Sequence, residues 1–306
     1  MKMVRKLRQW IINRYEVAYE LIRVVKLRIT FHLQIMHMEE TIRYIKRHKC
    51  SISRFGDGEF NIILGVRGIS FQDPNMALGK RLVDTLHIRD NRVLLCVPGA
   101  MNSTRKCNHK ARVFWKEWGR QNNKHIKIVS LLRDAAGTNY RFGDAQITRP
   151  YIDWIKSARP KRVFSQIKGL WDDKHILIVE GTETRSGVAN DLYSGAASVK
   201  RILAPSRNAF DYYDSIKDCI LKHYQDELVL IALGPTATVL AADLAMMDIQ
   251  ALDIGHIDIE YEWFLREAEH KIVIPGKYTG EVESGNNVVA CTDEIYLQQI
   301  IDRIGS

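Results

Sequence analysis

The chain has 306 residues, of which 46% are hydrophobic and 26% charged, and a net charge of +9. That length suits one large α/β domain, and the composition excludes a disordered or fibrous chain. No apolar run approaches the roughly 18 residues of a membrane-spanning helix, and five cysteines without a Cys-x-x-Cys pair predict reduced thiols in a cytoplasmic setting.

Residues 1–49 read as a basic amphipathic helical arm. The first 50 residues hold twelve Lys and Arg against four Glu, a balance of +8 that leaves +1 for the rest of the chain. A nearly neutral body argues against a nucleic-acid partner. Within the arm Val4, Leu7, Ile11, Ala18, Leu21 and Val25 recur at near-helical spacing, with Trp10 and Tyr15 among them. The continuous apolar region and small-residue cleavage site of a signal peptide are missing. Two arrangements are open: residues 1–30 lie on the anionic inner face of a membrane as a peripheral contact, or the arm packs on the body or on a second subunit of an oligomer.

Residues 50–306 read as the second unit. It opens with Ser53-Arg54-Phe55-Gly56-Asp57-Gly58-Glu59, where glycines on either side of Asp57 allow a tight turn presenting Arg54, Asp57 and Glu59 together. The plain alternative is a solvated surface turn. From residue 92 onward, short apolar runs alternate with amphipathic stretches. The runs at 93–97, 126–131, 176–179, 199–203, 228–233 and 250–254 predict buried strands, and 109–121, 150–158, 187–197, 209–225 and 235–247 predict helices. This order predicts an α/β fold, a Rossmann-like parallel sheet with helices on both faces. Ligands of such sheets bind beyond the carboxyl ends of the strands, so the residues after each run are the ones to inspect.

After the run 176–179 come Glu180 and, five residues on, Arg185, whose planar fork suits a phosphate. Asn190 and Asp191 follow in the expected first turns of the next helix. After 228–233 comes Gly234-Pro235-Thr236, a helix start whose free N–H groups suit an anion, although it is neither a Walker loop nor a dinucleotide fingerprint. Past Asp253, residues 255–263 read Gly-His-Ile-Asp-Ile-Glu-Tyr-Glu-Trp. In extended backbone His256, Asp258, Glu260 and Glu262 would share one face, and three carboxylates beside an imidazole suit a divalent cation, the plain alternative being a half-exposed strand whose polar face meets water. The helical alternative sets Asp258 and Glu262 at i and i+4, above Ile259 and Trp263. Residues 275–287 predict a mobile loop, and 293–304 a closing helix capped by Thr292. Arg-Phe-Gly-Asp occurs twice, at 54–57 and 141–144, too short a match to make a repeat.

Four segments now stand in order: Arg54-Phe-Gly-Asp-Gly-Glu59, Arg185-Ser-Gly-x-x-Asn-Asp191, Ala232-Leu-Gly-Pro-Thr-Ala237 and Asp253-Ile-Gly-His-Ile-Asp-Ile-Glu-Tyr-Glu262. Together the chain from Cys50 to Gly285 resembles the bacterial glycosyltransferases of the GT-D fold class, formerly a domain of unknown function. The resemblance implies a Rossmann-like domain, a nucleotide-sugar donor (typically UDP-glucose), and Mn²⁺ or Mg²⁺ held by a D-x-E motif that matches Asp258-Ile259-Glu260. It also implies a glycan or glycoprotein acceptor at the bacterial surface, and an Asn-Glu pair where this chain has Gly280-Glu281. The expected activity is metal-dependent sugar transfer from a UDP-sugar. Asp258 and Glu260 would hold the ion, and Arg185 with Gly234, Pro235 and Thr236 the phosphates. Arg54, Glu180, Asn190, Asp191, Asp253 and His256 would complete the substrate site, with Asp57 or Glu59 accepting the acceptor's proton. The alternative is a non-catalytic protein of the same fold that stabilises an active partner at the membrane.

Overall fold

The computed structural model describes residues 32–155 and 159–305. Its strands are β1 (Gln34–Ile35), β2 (Ser51–Arg54), β3 (Val93–Val97), β4 (Arg141–Asp144), β5 (His175–Gly181), β6 (Ser198–Ala204), β7 (Leu228–Ala232), β8 (Ala251–Asp253) and β9 (Ile300–Arg303). They form one sheet in the order β1-β4-β3-β2-β8-β7-β5-β6-β9, and every pairing is parallel. The α-helices are α1 (Met38–His48), α2 (Asp57–Ile63), α3 (Met76–Leu86), α4 (His109–Arg120), α5 (Lys124–Ala136), α6 (Arg159–Lys168), α7 (Tyr213–His223), α8 (Pro235–Met246), α9 (Ile257–Leu265) and α10 (Glu294–Gln299). None among the described residues is long and apolar enough to cross a membrane.

Alternation along the strands divides the interior into two cores. In β3, Val93, Leu95 and Val97 face one core and Leu94 and Cys96 the other, and β5 and β7 divide in the same way. Leucines of α3 and residues of α5, α7 and α8 cover the first core, while α1, α6 and α9 cover the second. A strand buried on both sides reads as an unbroken apolar run, which is why β3, β5 and β7 stand out in the sequence.

Several expected elements differ. Residues 126–131 belong to α5, not to a strand: Ile128, Val129, Leu132, Ala135 and Ala136 are buried at i, i+1, i+4, i+7 and i+8, a helical stripe. Residues 187–197 form turns rather than a helix, with positive φ at Gly187 and Ala189. The stretch 150–155 is irregular, pinned by a bridge between Cys107 and Trp154, and the helix starts at Arg159. At the C-terminal end α10 is capped by Asp293, whose side chain accepts from the Tyr296 N–H at 2.8 Å, and the chain then straightens into the edge strand β9. Residues 34–48, read as part of the arm, join the body: β1 pairs with β4, and Met38, Ile42 and Ile45 are buried. The arm's predicted helix over residues 1–30 lies outside the described residues. The segment 275–287 is tied down, with Lys277 and Thr279 3% and 0% exposed.

Candidate active site

The carboxyl ends of β2 through β8 open on one cavity of about 720 Å³. At the end of β2, Arg54 donates from Nε to the Asp253 carbonyl at 2.7 Å, from Nη2 to Asp253 Oδ1 at 2.7 Å and from Nη1 to Thr148 Oγ1 at 2.7 Å. Asp253 is buried, and its Oδ2 also takes the Thr238 hydroxyl at 3.3 Å. This pair fastens β2 to β8 at the floor of the cavity. Gly255 makes it possible: a Cβ there would lie 1.9 Å from Arg54 Nη2, and its φ is +42°. Beyond Arg54 the chain turns through Gly56 into α2. Glu59 Oε2 accepts the Gly56 N–H at 2.7 Å, the half of a capping box that a glycine N-cap allows, and Asp57 takes the first position of the helix, facing the cavity. Burial raises both carboxyls: Glu59 reaches about 7, and Asp57 lies above the ordinary range although Arg149 opposes the shift.

The segment 257–265 is a helix, α9, so the expected extended face is corrected. Residues i and i+2 on a helix point about 200° apart, and Asp258 and Glu260 do so. Asp258 meets Lys277 Nζ at 2.7 and 3.0 Å, the Gly187 N–H at 2.7 Å and Asn190 Nδ2 at 2.8 Å. Glu262, one turn on, takes Lys277 Nζ at 3.0 Å, Asn190 Nδ2 at 2.7 Å and Arg266 Nη2 at 3.2 Å. Glu260 points the other way, accepting the Tyr151 and Ile152 N–H groups at 3.2 and 3.1 Å, with Arg149 Nε 3.5 Å away. The helix carries these acids readily because two of them lie in its first turn, toward the positive end of the dipole.

This arrangement does not fit a cation shared by Asp258 and Glu260. Two cations, Lys277 and Arg266, already balance Asp258 and Glu262, and Glu260 sits with Arg149 on the far side. No three His, Cys, Asp or Glu ligands converge in the cavity among the described residues.

Besides Arg54 in the floor and Lys110 beside α4, Arg149 and Lys271 bring positive charge to the cavity. Glu281 joins them: Arg149 Nη2 bonds its Oε1 and Lys271 Nζ its Oε2, and His256 Nε2 lies 3.2 Å from Oε1. Burial alone would raise Glu281, but Arg149 above all, with His256 and Lys271, holds its carboxyl well below the usual range. Burial pushes His256 down to about 4, so its ring is neutral near pH 7. Asp57, Arg149, His256, Asp258, Lys271 and Glu281 all line the cavity.

Other expected site residues do structural work. Arg185 donates to the Gly276 carbonyl at 2.7 Å and to the Val289 carbonyl, clamping the segment that carries Lys277 and Glu281. Glu180 is wholly buried and pairs with Arg201 at 2.6 Å and with the Ser186 N–H at 2.8 Å. Asp191 bonds Lys168 and Tyr261 at 2.6 Å each, outside the cavity. Gly234 does line it: φ is +54°, and a Cβ would sit 2.2 Å from the Phe71 ring. Pro235 opens α8 at its first position, and the buried Thr236 hydroxyl has no hydrogen-bond partner among the described residues.

Sequence reasoning missed Phe71, Arg149, Lys271 and Tyr278. Arg149 follows β4, which itself was missed because Arg141-Phe-Gly-Asp144 holds two charges and a glycine. Only the resemblance pointed to 280–281.

A family model described as "Glycosyltransferase GT-D fold" matches residues 52–282. The chain is 37% identical over 272 residues to "Probable glycosyl transferase Gly" of Streptococcus gordonii, covering 88% of this chain and 38% of that protein. It is 35% identical over 274 residues to "Glycosyltransferase GlyD" of Streptococcus pneumoniae serotype 4, covering 89% and 33%. It thus spans about a third of the length of these relatives. A solved structure described by the words "The highly conserved domain of unknown function 1792 has a distinct glycosyltransferase fold" superposes with a TM-score of 0.84 at 36% identity, covering 92% of this chain and 99% of that one.

Proposed function

The chain belongs to the glycosyltransferases of the GT-D fold, and from that premise we propose that it moves a sugar, glucose by the family resemblance, from a UDP-sugar to a glycan or glycoprotein acceptor. The observation that carries this reading is the gathering of Asp57, Arg149, Lys271 and Gly234 on one cavity at the strand carboxyl ends. Arg149 and Lys271 receive the donor diphosphate, with Glu281 giving way to it, and Gly234 makes room for the Phe71 ring beside the start of α8. On the β5–β6 side, Phe71, Tyr278, Pro205 and Ser206 offer apolar walls and a hydroxyl for the nucleoside. On the β3–β4 side, Phe114 and Trp115 of α4, with Lys110, offer aromatic faces to an acceptor sugar. Asp57 lies between the two and accepts the proton of the attacking hydroxyl.

Arg149→Ala should weaken UDP binding by about 1.5–3 kcal/mol, roughly 10- to 150-fold, because a charge-assisted contact to phosphate is lost. Calorimetric titration of UDP checks it; unchanged affinity moves the phosphates elsewhere. Arg185→Ala, by contrast, should act through the 276–289 segment and leave some UDP affinity. Sugar transfer lost in excess EDTA and restored by Mn²⁺ would bring a divalent ion into the reaction through ligands other than a shared Asp258–Glu260 cage.

The arm belongs to the same proposal as a peripheral membrane contact. Deleting residues 1–30 removes eight Lys and Arg and two Glu. The shortened protein should lose binding to anionic vesicles and keep transfer to soluble acceptors; unchanged vesicle binding rejects the contact.

A further inference from the structure

Cys219, His223 and Asp302 form a cluster that none of the foregoing chemistry uses. Cys219 and His223 stand at i and i+4 on α7, so they share one face of the helix. Asp302 reaches them from β9, the outermost strand of the sheet. One ligand atom from each residue lies within 4.8 Å of the other two, and His223 Nε2 is 2.8 Å from Asp302 Oδ2. Among the described residues no other three His, Cys, Asp or Glu side chains converge in this way. None of the three lines the cavity.

We propose that Cys219, His223 and Asp302 bind a Zn²⁺ ion, with water as the fourth ligand, and that the ion clamps β9 onto α7. Tetrahedral zinc with sulfur at about 2.3 Å and nitrogen or oxygen at about 2.0–2.2 Å sets its ligand atoms about 3.3–3.6 Å apart. A group already within 4.8 Å needs only small side-chain rotations to close on the ion. A thiolate, an imidazole and one carboxylate are a borderline-soft set that suits zinc and is foreign to magnesium and calcium. Zinc would bind the thiolate and displace its proton. The other charged group at Asp302 is Lys222, with Nζ 3.4 Å from Oδ2, at the exposed side.

The fold supplies a reason for a clamp. The pairing of β9 with β6 shifts register between Arg201 and Ile202, and two of its four residues are exposed. The helix before it has only six residues. A metal bridge would join this edge strand to a helix packed on the first core.

The test uses the full chain, stripped with a chelator and titrated with Co²⁺ as a stand-in for Zn²⁺. The expected result is a near-ultraviolet thiolate-to-cobalt charge-transfer band that saturates at one equivalent and is displaced by Zn²⁺, with a higher melting temperature in Zn²⁺. The cavity holds no cysteine, so an ion bound there gives no such band. Cys219→Ser should abolish the band and Cys291→Ser should keep it. His223→Gln should weaken Zn²⁺ binding by about tenfold or more, since even outer-shell changes cost that much. No charge-transfer band in the wild type overturns the proposal, as does a band that survives Cys219→Ser. If Cys219→Ser fails to fold by circular dichroism, unchanged Zn²⁺ affinity in His223→Gln overturns it instead.

Discussion

Asp57→Asn should lower the turnover of sugar transfer by about 10²-fold or more, with UDP affinity little changed. Asp57 is fixed by its place: the bond from the Gly56 N–H to Glu59 holds it at the start of α2, and among the described residues no cation is hydrogen-bonded to it as Arg149 and Lys271 are to Glu281. Burial raises its carboxyl above the usual range, which makes it a better proton acceptor than an exposed Asp. The pH profile follows with a definite sign. The base must be ionised, so turnover should fall as pH drops through the raised value, at a higher pH than the roughly 3.9 of a free Asp. In Asp57→Asn that limb should vanish from the residual activity. Single-turnover rates across pH, beside calorimetric UDP titration, separate the roles. A mutant that loses UDP binding places Asp57 in the donor site, and one with full turnover removes it from the chemistry. Glu59→Gln should have the smaller effect, since Gln can still accept the Gly56 N–H.

The parts of this fold that were legible in sequence are those buried on both faces. β3, β5 and β7 are continuous apolar runs, and the loops that follow β7 and β8 did lead to the cavity. The misses have physical causes. β2 and β4 alternate apolar residues with Ser, Arg, Gly and Asp because their polar atoms are satisfied inside: Ser53 Oγ donates to the Thr238 carbonyl at 2.8 Å, and Thr41 Oγ1 accepts the Asp144 N–H at 2.9 Å. Such bonds depend on distant chain segments and leave no local pattern. The two copies of Arg-Phe-Gly-Asp make the point directly, since 54–57 leaves a strand for a helix while 141–144 is a strand. Gly143 is required there because a Cβ would sit 2.5 Å from Cys96 Sγ. In 255–263 the alternation of polar and apolar residues suggested a strand, yet Ile257, Tyr261 and Trp263 are buried from a helix that also buries its acids. Lys277 is what allows the burial of Asp258 and Glu262, and it lies in a stretch rich in Gly and Asn, where a structural lysine has no sequence signal.

Lys277→Met should therefore be the most destabilising of these substitutions, costing about 3–5 kcal/mol. Lys277, Asp258 and Glu262 are each 3% exposed, and the ammonium contacts both carboxylates within 3.0 Å. Methionine matches the bulk of the lysine stem but leaves two carboxylates side by side, opposed only by Arg266 at the rim of Glu262. Two buried like charges without their shared cation repel each other and lack a compensating partner. Denaturant unfolding of both proteins measures this, and a mutant as stable as the wild type removes Lys277 from the support of α9. The same series tests what the acids are for. In the wild type, Lys277 occupies the position that a cation between Asp258 and Glu262 would need, so Mn²⁺ alone should leave the melting temperature unchanged, whereas in Lys277→Met it should raise it by filling the vacated charge. A wild-type protein stabilised by Mn²⁺, with the effect lost in Asp258→Asn, would show that Lys277 yields to the ion and that Asp258 is a metal ligand after all.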